Sequence, residues 1–224
     1  MFVRNDYRNL LSDADYNLLF GSGVTRTDIE AAAIAEARGY LSSRYDTALA
    51  FPSIPAYTED IIYLRGDVVT HEGVVNVVDA GETDTRPLAP DWKKGDVSAL
   101  TSVIYEDGAV YAPGTVICRR LDHCNEYYRT DGSSDLSRFT RLVVRDKAIV
   151  MFTLDIVLYH AFSSINPQHI PELRIERYER AISWLRHVQD GKVTAAVPFR
   201  TDTDTGRAFS SSRIRSNNKS NPYW

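Results

Sequence analysis

Apolar residues recur at helical spacing near both ends of the chain and at strand spacing between them. After Ser12-Asp13, the residues Tyr16, Leu19 and Phe20 recur at helical spacing, and Gly21-Ser22-Gly23 closes the segment, which predicts a short helix over 13–20. A longer helix is expected over 27–45. Its stripe is Ile29, Ala33, Ala37, Tyr40 and Leu41, opened by the capping-box pattern Thr27-Asp28-Ile29-Glu30, and its alanines would let a neighbouring helix approach closely. Helix returns near Asp146. The stretch 148–162 is apolar nearly all round, as expected of a central bundle helix. Pro167 and Pro171 bound a turn, and Pro171 suits the first position of a helix that presents Leu173, Tyr178, Ile182, Leu185 and Val188 before Gly191 stops it.

Pro52 and Pro55 mark a break, and from Tyr63 to Val144 the pattern changes to short runs of Val, Ile and Tyr separated by Gly, Asp and Asn. Three hairpins are expected. The first joins 68–70 to 74–78 through a turn at Glu72-Gly73, the second spans 102–111 around Glu106-Asp107-Gly108, and the third joins 114–120 to 126–130. The pattern Tyr-x-x-Gly-x-Val occurs at Tyr63-Gly66-Val68 and again at Tyr111-Gly114-Val116, which is either one bulged strand used twice or coincidence. The fold class is therefore α+β: a small helical bundle interrupted by an inserted β-rich domain. The expected organisation is a helical module over 1–56 and 146–196, an insert over 57–145, and an extended basic tail over 197–224.

Hydrophobic residues at 43% and charged residues at 25% are the balance of a globular chain with a real core, and a net charge of −4 argues against a general polycation for nucleic acid. The charge is uneven, because 206–224 holds Arg207, Arg213, Arg215 and Lys219 and no acid. Such a polar segment gains order only by binding, and arginine with Tyr223-Trp224 supplies residue types favoured as anchors. Two cysteines, Cys118 and Cys124, do not make a disulfide scaffold. The start lacks the apolar core of a signal peptide, and the apolar stretch 148–165 carries Asp155 and His160, so a buried helix is expected there and no membrane partner.

Candidate chemistry is sparse. Cys118, His123 and Cys124 lack the second ligand pair of a structural zinc site, so a tight, partly buried turn is the simpler reading and neither metal nor cofactor is expected. No Gly-x-Ser-x-Gly, phosphate-cradling loop or His-Glu-x-x-His occurs. His160 is expected as a core histidine with Asp155, one turn earlier, as its partner or as a helix–helix contact, and no catalytic residues are assigned. Tyr63-x-x-Gly66-Asp67-x-Val69, followed by Gly73 and Trp92, resembles small chitin-binding modules. That likeness implies a sugar-stacking platform of Tyr63 and Trp92, whereas the bland reading makes Trp92 a plug under its own loop.

The helical parts resemble the Mu-like prophage head-completion proteins, a family of head–tail connector subunits of tailed bacteriophages. The matching residues are Leu11-Ser12-Asp13, then Ile34 through Tyr45 with its Tyr40-Leu41-x-x-Arg44-Tyr45, then Arg177-Tyr178-x-x-Ala181-x-x-Trp184-Leu185, and finally Gly191. The family runs from the first of these helices through a short proline loop into the next, so the insert departs from it. The resemblance implies a virion structural protein: an adaptor that forms a ring, twelve-fold, beneath the portal. It would touch the portal and further tail or ring proteins, and lie near genomic DNA without reading its sequence. Helix packing would fall to Tyr40, Leu41, Tyr45, Tyr178, Ile182 and Leu185. Docking would fall to the tail residues Arg207, Arg213, Arg215, Lys219, Tyr223 and Trp224. The resemblance assigns the insert no role, and Tyr63 and Trp92 are its candidate contact surface on their own account. The alternative expectation is a carbohydrate- or fibre-binding insert on a helical attachment domain.

Overall fold

The fold is given by a computed structural model that describes residues 2–8, 10–21, 26–87 and 89–201. It is a mixed α+β chain. Helices α1 (Arg4–Tyr7), α2 (Asp13–Phe20), α3 (Arg26–Leu41) and α4 (Thr47–Ala50) come first, and the strands follow from β1 (Tyr63–Leu64) onward. After the strands come α5 (Lys147–Ile165) and α6 (Glu172–Gln189).

Local chemistry sets these helix limits. The Ser12 hydroxyl accepts from the Asp15 amide at 3.1 Å and caps α2. Helix α3 is already running at Arg26, one residue ahead of Thr27, so Thr27 lies in its first turn rather than at the expected cap. It ends at Leu41, not Tyr45, because Tyr45 leaves the helix to bridge Phe199. Asp146 caps α5 by accepting from Ala148 and Ile149 at 2.7 and 3.0 Å, and its second oxygen accepts from Ala196 at 2.8 Å. One carboxylate thus ties the start of the central helix to the segment after α6. Pro171 sits at the N-cap of α6, one position before the expected one, and Gly191 follows its C-cap with φ of 74°.

Helices α3, α5 and α6 pack on one another around a core that includes Ala33, Ala37, Leu41, Leu154, Leu158, Leu185 and Val188. Ala33 and Ala37 are fully buried, so the small side chains do bring α3 close to α5. Helix α5 is long and apolar enough to cross a membrane by length and composition, yet half of it is buried inside the protein, as a core helix would be. Val197 and Phe199 pack into the same core, so the chain stays with the helices well past 196.

Between the helical parts lie β1, then β2 (Val68–His71), β3 (Val74–Val78), β4 (Glu82–Thr83) and β5 (Trp92–Lys94). They are followed by β6 (Val103–Ile104), β7 (Val116–Arg120), β8 (Asn125–Arg129) and β9 (Thr140–Arg141). They form a β1–β4 pair, a β2–β3–β5 sheet and a β6–β7–β8–β9 sheet. The first and third expected hairpins are present as β2–β3 and β7–β8. Glu72 and Gly73, with φ of 48° and 75°, make the first a two-residue turn with both central residues left-handed. The second expected hairpin is not there: β6 pairs parallel to β7, and Tyr111 lies outside the strands.

That exception has a simple cause, because the insert is one β unit built twice. Tyr57, Tyr63, Gly66 and Val68 recur 48 positions on as Tyr105, Tyr111, Gly114 and Val116. The backbone bonds recur with them. Tyr57 N donates to Thr70 O at 2.8 Å, and Tyr105 N to Cys118 O at 2.9 Å. Gly66 N donates to Val78 O at 3.0 Å, and Gly114 N to Thr130 O at 2.9 Å. At the far end, Gly95 N donates to Val75 O and Leu142 N to Tyr127 O, both at 2.8 Å. The parallel bridge Ala56–Thr70 of the first unit is the β6–β7 pair Ile104–Cys118 of the second. Even the left-handed positions agree, with φ of 64° at Asp60 and 75° at Gly108. Each unit has its own small core, Tyr63, Val69, Val78 and Trp92 in one and Ile117, Tyr128 and Phe139 in the other. The two share a third core in which Val68 and Val75 of one meet Val116 and Tyr127 of the other.

Candidate functional surfaces

The helical faces singled out by the sequence converge. Leu41, Tyr45, Ile182 and Leu185 are buried in one core, with Tyr40 and Tyr178 packed against it half-buried. Tyr45 accepts from the Ala195 amide at 3.1 Å and its ring lies 5.1 Å from that of Phe199. Tyr178 stacks on Tyr159 at 4.1 Å.

Of the two expectations for Asp155, partner of His160 or helix–helix contact, the second holds. His160 does not pair with Asp155. Its Nε2 lies 2.8 Å from Glu36 on α3, and the Tyr178 hydroxyl donates to the other Glu36 oxygen at 2.8 Å. Glu36 therefore clamps α3, α5 and α6 together. Its sequence signal was weak, since a glutamate in an amphipathic helix reads as solvated surface. Asp155 faces the other way, toward Arg177 at 3.4 Å. Burial holds the Asp155 carboxyl above its ordinary range, against the pull of Arg177 and Arg174. Burial, then the hydrogen bond to Glu36, pushes the Tyr178 phenol up to about 12.

Among the described residues, several contacts fasten the insert to the helical module. Val3 joins the shared core of the two β units, and Asn5 N donates to Gly73 O at 2.9 Å. Arg145 pairs with Asp6 at 2.5 Å while its amide donates to Asp96 at 2.8 Å. At the tip of β7–β8, the His123 ring lies 4.1 Å from that of Phe199, and its Nε2 is 3.0 Å from Val197 O. His123 and Cys124 thus serve a turn that docks on the helical module. Cys124 and Cys118 are free and buried, and burial, then Glu126, pushes the Cys124 thiol up to about 11. A thiol so raised is a poor nucleophile near neutrality. Among the described residues, no three or more of His, Cys, Asp and Glu are grouped to hold a metal ion.

Tyr63 and Trp92 do not form an exposed contact surface. Their rings meet at 5.5 Å inside the first unit, at 8% and 7% exposure, and the Trp92 indole N–H donates to Thr85 O at 3.0 Å. Burial of this kind satisfies the aromatic faces internally and leaves no stacking platform for sugar rings. The six tail residues Arg207, Arg213, Arg215, Lys219, Tyr223 and Trp224 lie outside the described residues. Comparison with protein-family models, curated proteins and solved structures found no match.

Proposed function

We propose that this chain is a virion structural protein, an adaptor subunit that forms a ring between the portal and the tail of a bacteriophage. The observation that supports it is convergence. The two segments that carry the resemblance, 34–45 and 176–185, lie on either side of the insert, yet pack as one bundle through Leu41, Tyr45, Ile182 and Leu185. In this reading the bundle packs side by side around the ring. Residues 206–224 dock on the portal or an adjacent subunit, and the insert faces outward or toward the next ring. The protein acts without catalysis, cofactor or membrane, made in the host cytoplasm and carried at the portal–tail junction. A channel that passes DNA must let the duplex slide, which suits a mixed or mildly acidic chain better than a basic one.

Imaging of the purified protein, alone and with portal protein, tests the reading. Rings that bind portal are expected, and deletion of 206–224 is expected to weaken both assembly and binding. A protein that stays monomeric and ignores the portal would refute it. Burial of Tyr63 and Trp92 counts against a sugar-binding insert.

A further inference from the structure

The repeated unit makes an internal comparison possible. Among the described residues, every strongly exposed large hydrophobic of the insert lies in 61–64 of the first unit (Ile61, Ile62 and Leu64) or in 103–110 of the second (Val103, Ile104 and Val110). Ile62 and Val110 occupy the same position, 48 residues apart, and are 66% and 72% exposed. Scattered apolar side chains are ordinary on a surface, but a bare aliphatic kept at this one equivalent position in both units is not scatter. Acids also stand beside each tip along the chain, Glu59 among them already paired with Arg86. Glu59 and Asp60 precede the first tip and Glu82 pairs across the ladder from Leu64, while Glu106 and Asp107 precede the second; all five are exposed.

We propose that these two acid-flanked aliphatic tips receive residues 206–224 of a second copy of this chain. Charge complementarity argues for that occupant. Residues 57–145 hold fifteen acids against ten cations, whereas 206–224 hold four cations and no acid. The apolar members of that segment, Phe209, Ile214, Tyr223 and Trp224, suit aliphatic tips, and its arginines suit the carboxylates beside them. Reach is ample, since an extended chain from Thr201 to Trp224 spans up to about 75–80 Å. The contact joins unlike surfaces, tail to insert, so it propagates from copy to copy and closes into a ring if the rotation allows.

Carbodiimide cross-linking of the full chain tests this directly, because Lys219 is the single amine side chain in 206–224. In an equal mixture of nitrogen-14 and nitrogen-15 protein, Lys219 is expected to form intermolecular amides with Glu59, Asp60, Glu106 or Asp107. Their yield should fall at roughly 0.5 M salt, where exposed charges are screened. The double variant Ile62→Ser, Val110→Ser should lower the yield about tenfold, the loss expected for baring two aliphatic contacts. Both positions are solvent-exposed, so folding is unaffected and circular dichroism serves as the control. The exposed Leu173→Ser variant on α6 should leave the yield unchanged. Cross-links from Lys219 to helical-module carboxylates instead, amides within one chain alone, no Lys219 product, or a yield indifferent to the double variant would each overturn the proposal. No portal protein is present, so the outcome is separate from that of the adaptor reading.

Discussion

Replacing Gly66 and Gly114 by alanine, one at a time, separates backbone strain from packing within the repeated unit. Both glycines are left-handed, with φ of 89° and 79°, so each alanine should cost about 1–2 kcal/mol from its Cβ alone. The surroundings differ. A Cβ on Gly114 meets nothing within 4 Å, whereas one on Gly66 comes within 2.6 Å of Leu142 Cδ1 and 3.2 Å of Cδ2. Leu142 belongs to the core shared by the two units and is 8% exposed, so its displacement is resisted and adds about 1–3 kcal/mol. Gly114→Ala is therefore expected to destabilise by about 1–2 kcal/mol and Gly66→Ala by about 2–5 kcal/mol. Urea titration followed by circular dichroism reads both, and thermal midpoints should fall by about 2–4 °C per kcal/mol for a chain of this size. In a Leu142→Ala background the extra cost of Gly66→Ala should vanish, giving a coupling of about 1–3 kcal/mol in the double-mutant cycle. Equal losses at the two glycines, or a Gly66→Ala cost that Leu142→Ala does not change, would show that the shared core does not press on Gly66.

Other outcomes follow from the same contacts. Glu36→Ala removes the acceptor of both His160 and Tyr178 and should lower stability by about 1–2 kcal/mol, while Asp155→Asn leaves that clamp intact; a double-mutant cycle of Glu36 with Tyr178→Phe should show coupling, and simple additivity would refute the clamp. Tyr7, buried and donating to Glu30 at 2.6 Å, has its phenol held above the ordinary value of 10.0 by burial and then by Glu30, as Tyr178 is by burial and then Glu36. A raised folded value means the native chain keeps a proton that the unfolded chain has lost, so this stability is complete below about pH 10 and falls as pH rises above it. Tyr7→Phe should flatten the loss between about pH 10 and 12, and an unchanged slope in denaturant titrations would refute the assignment. Titration with a chitin oligosaccharide should leave tryptophan fluorescence unchanged, since Trp92 is buried, and a saturable change lost in Trp92→Phe would restore the platform reading.

What the sequence determined by itself was periodicity and local turn chemistry. The stripe of Ile29, Ala33, Ala37 and Leu41, the apolar run of α5 and the left-handed Glu72-Gly73 turn are short-range facts, because side-chain direction repeats with 3.6 or 2 residues whatever lies elsewhere. Partnership was a different matter. Glu36, His160 and Tyr178 stand far apart in the chain, and nothing in their own neighbourhoods says that they meet or that Asp155 turns instead to Arg177. Ser102 to Tyr111 carries hairpin composition, yet its strand pairs parallel to β7, as Ala56 of the first unit bridges Thr70. The Tyr-x-x-Gly-x-Val echo hinted at that unit, but its side chains diverge while its backbone bonds recur, so only the tertiary structure decided that it was built twice. Burial of Tyr63 and Trp92 was settled there too. Whether an aromatic ring faces solvent or a neighbouring ring depends on which segments fold over it, and that is decided by long-range packing rather than by the residues beside it.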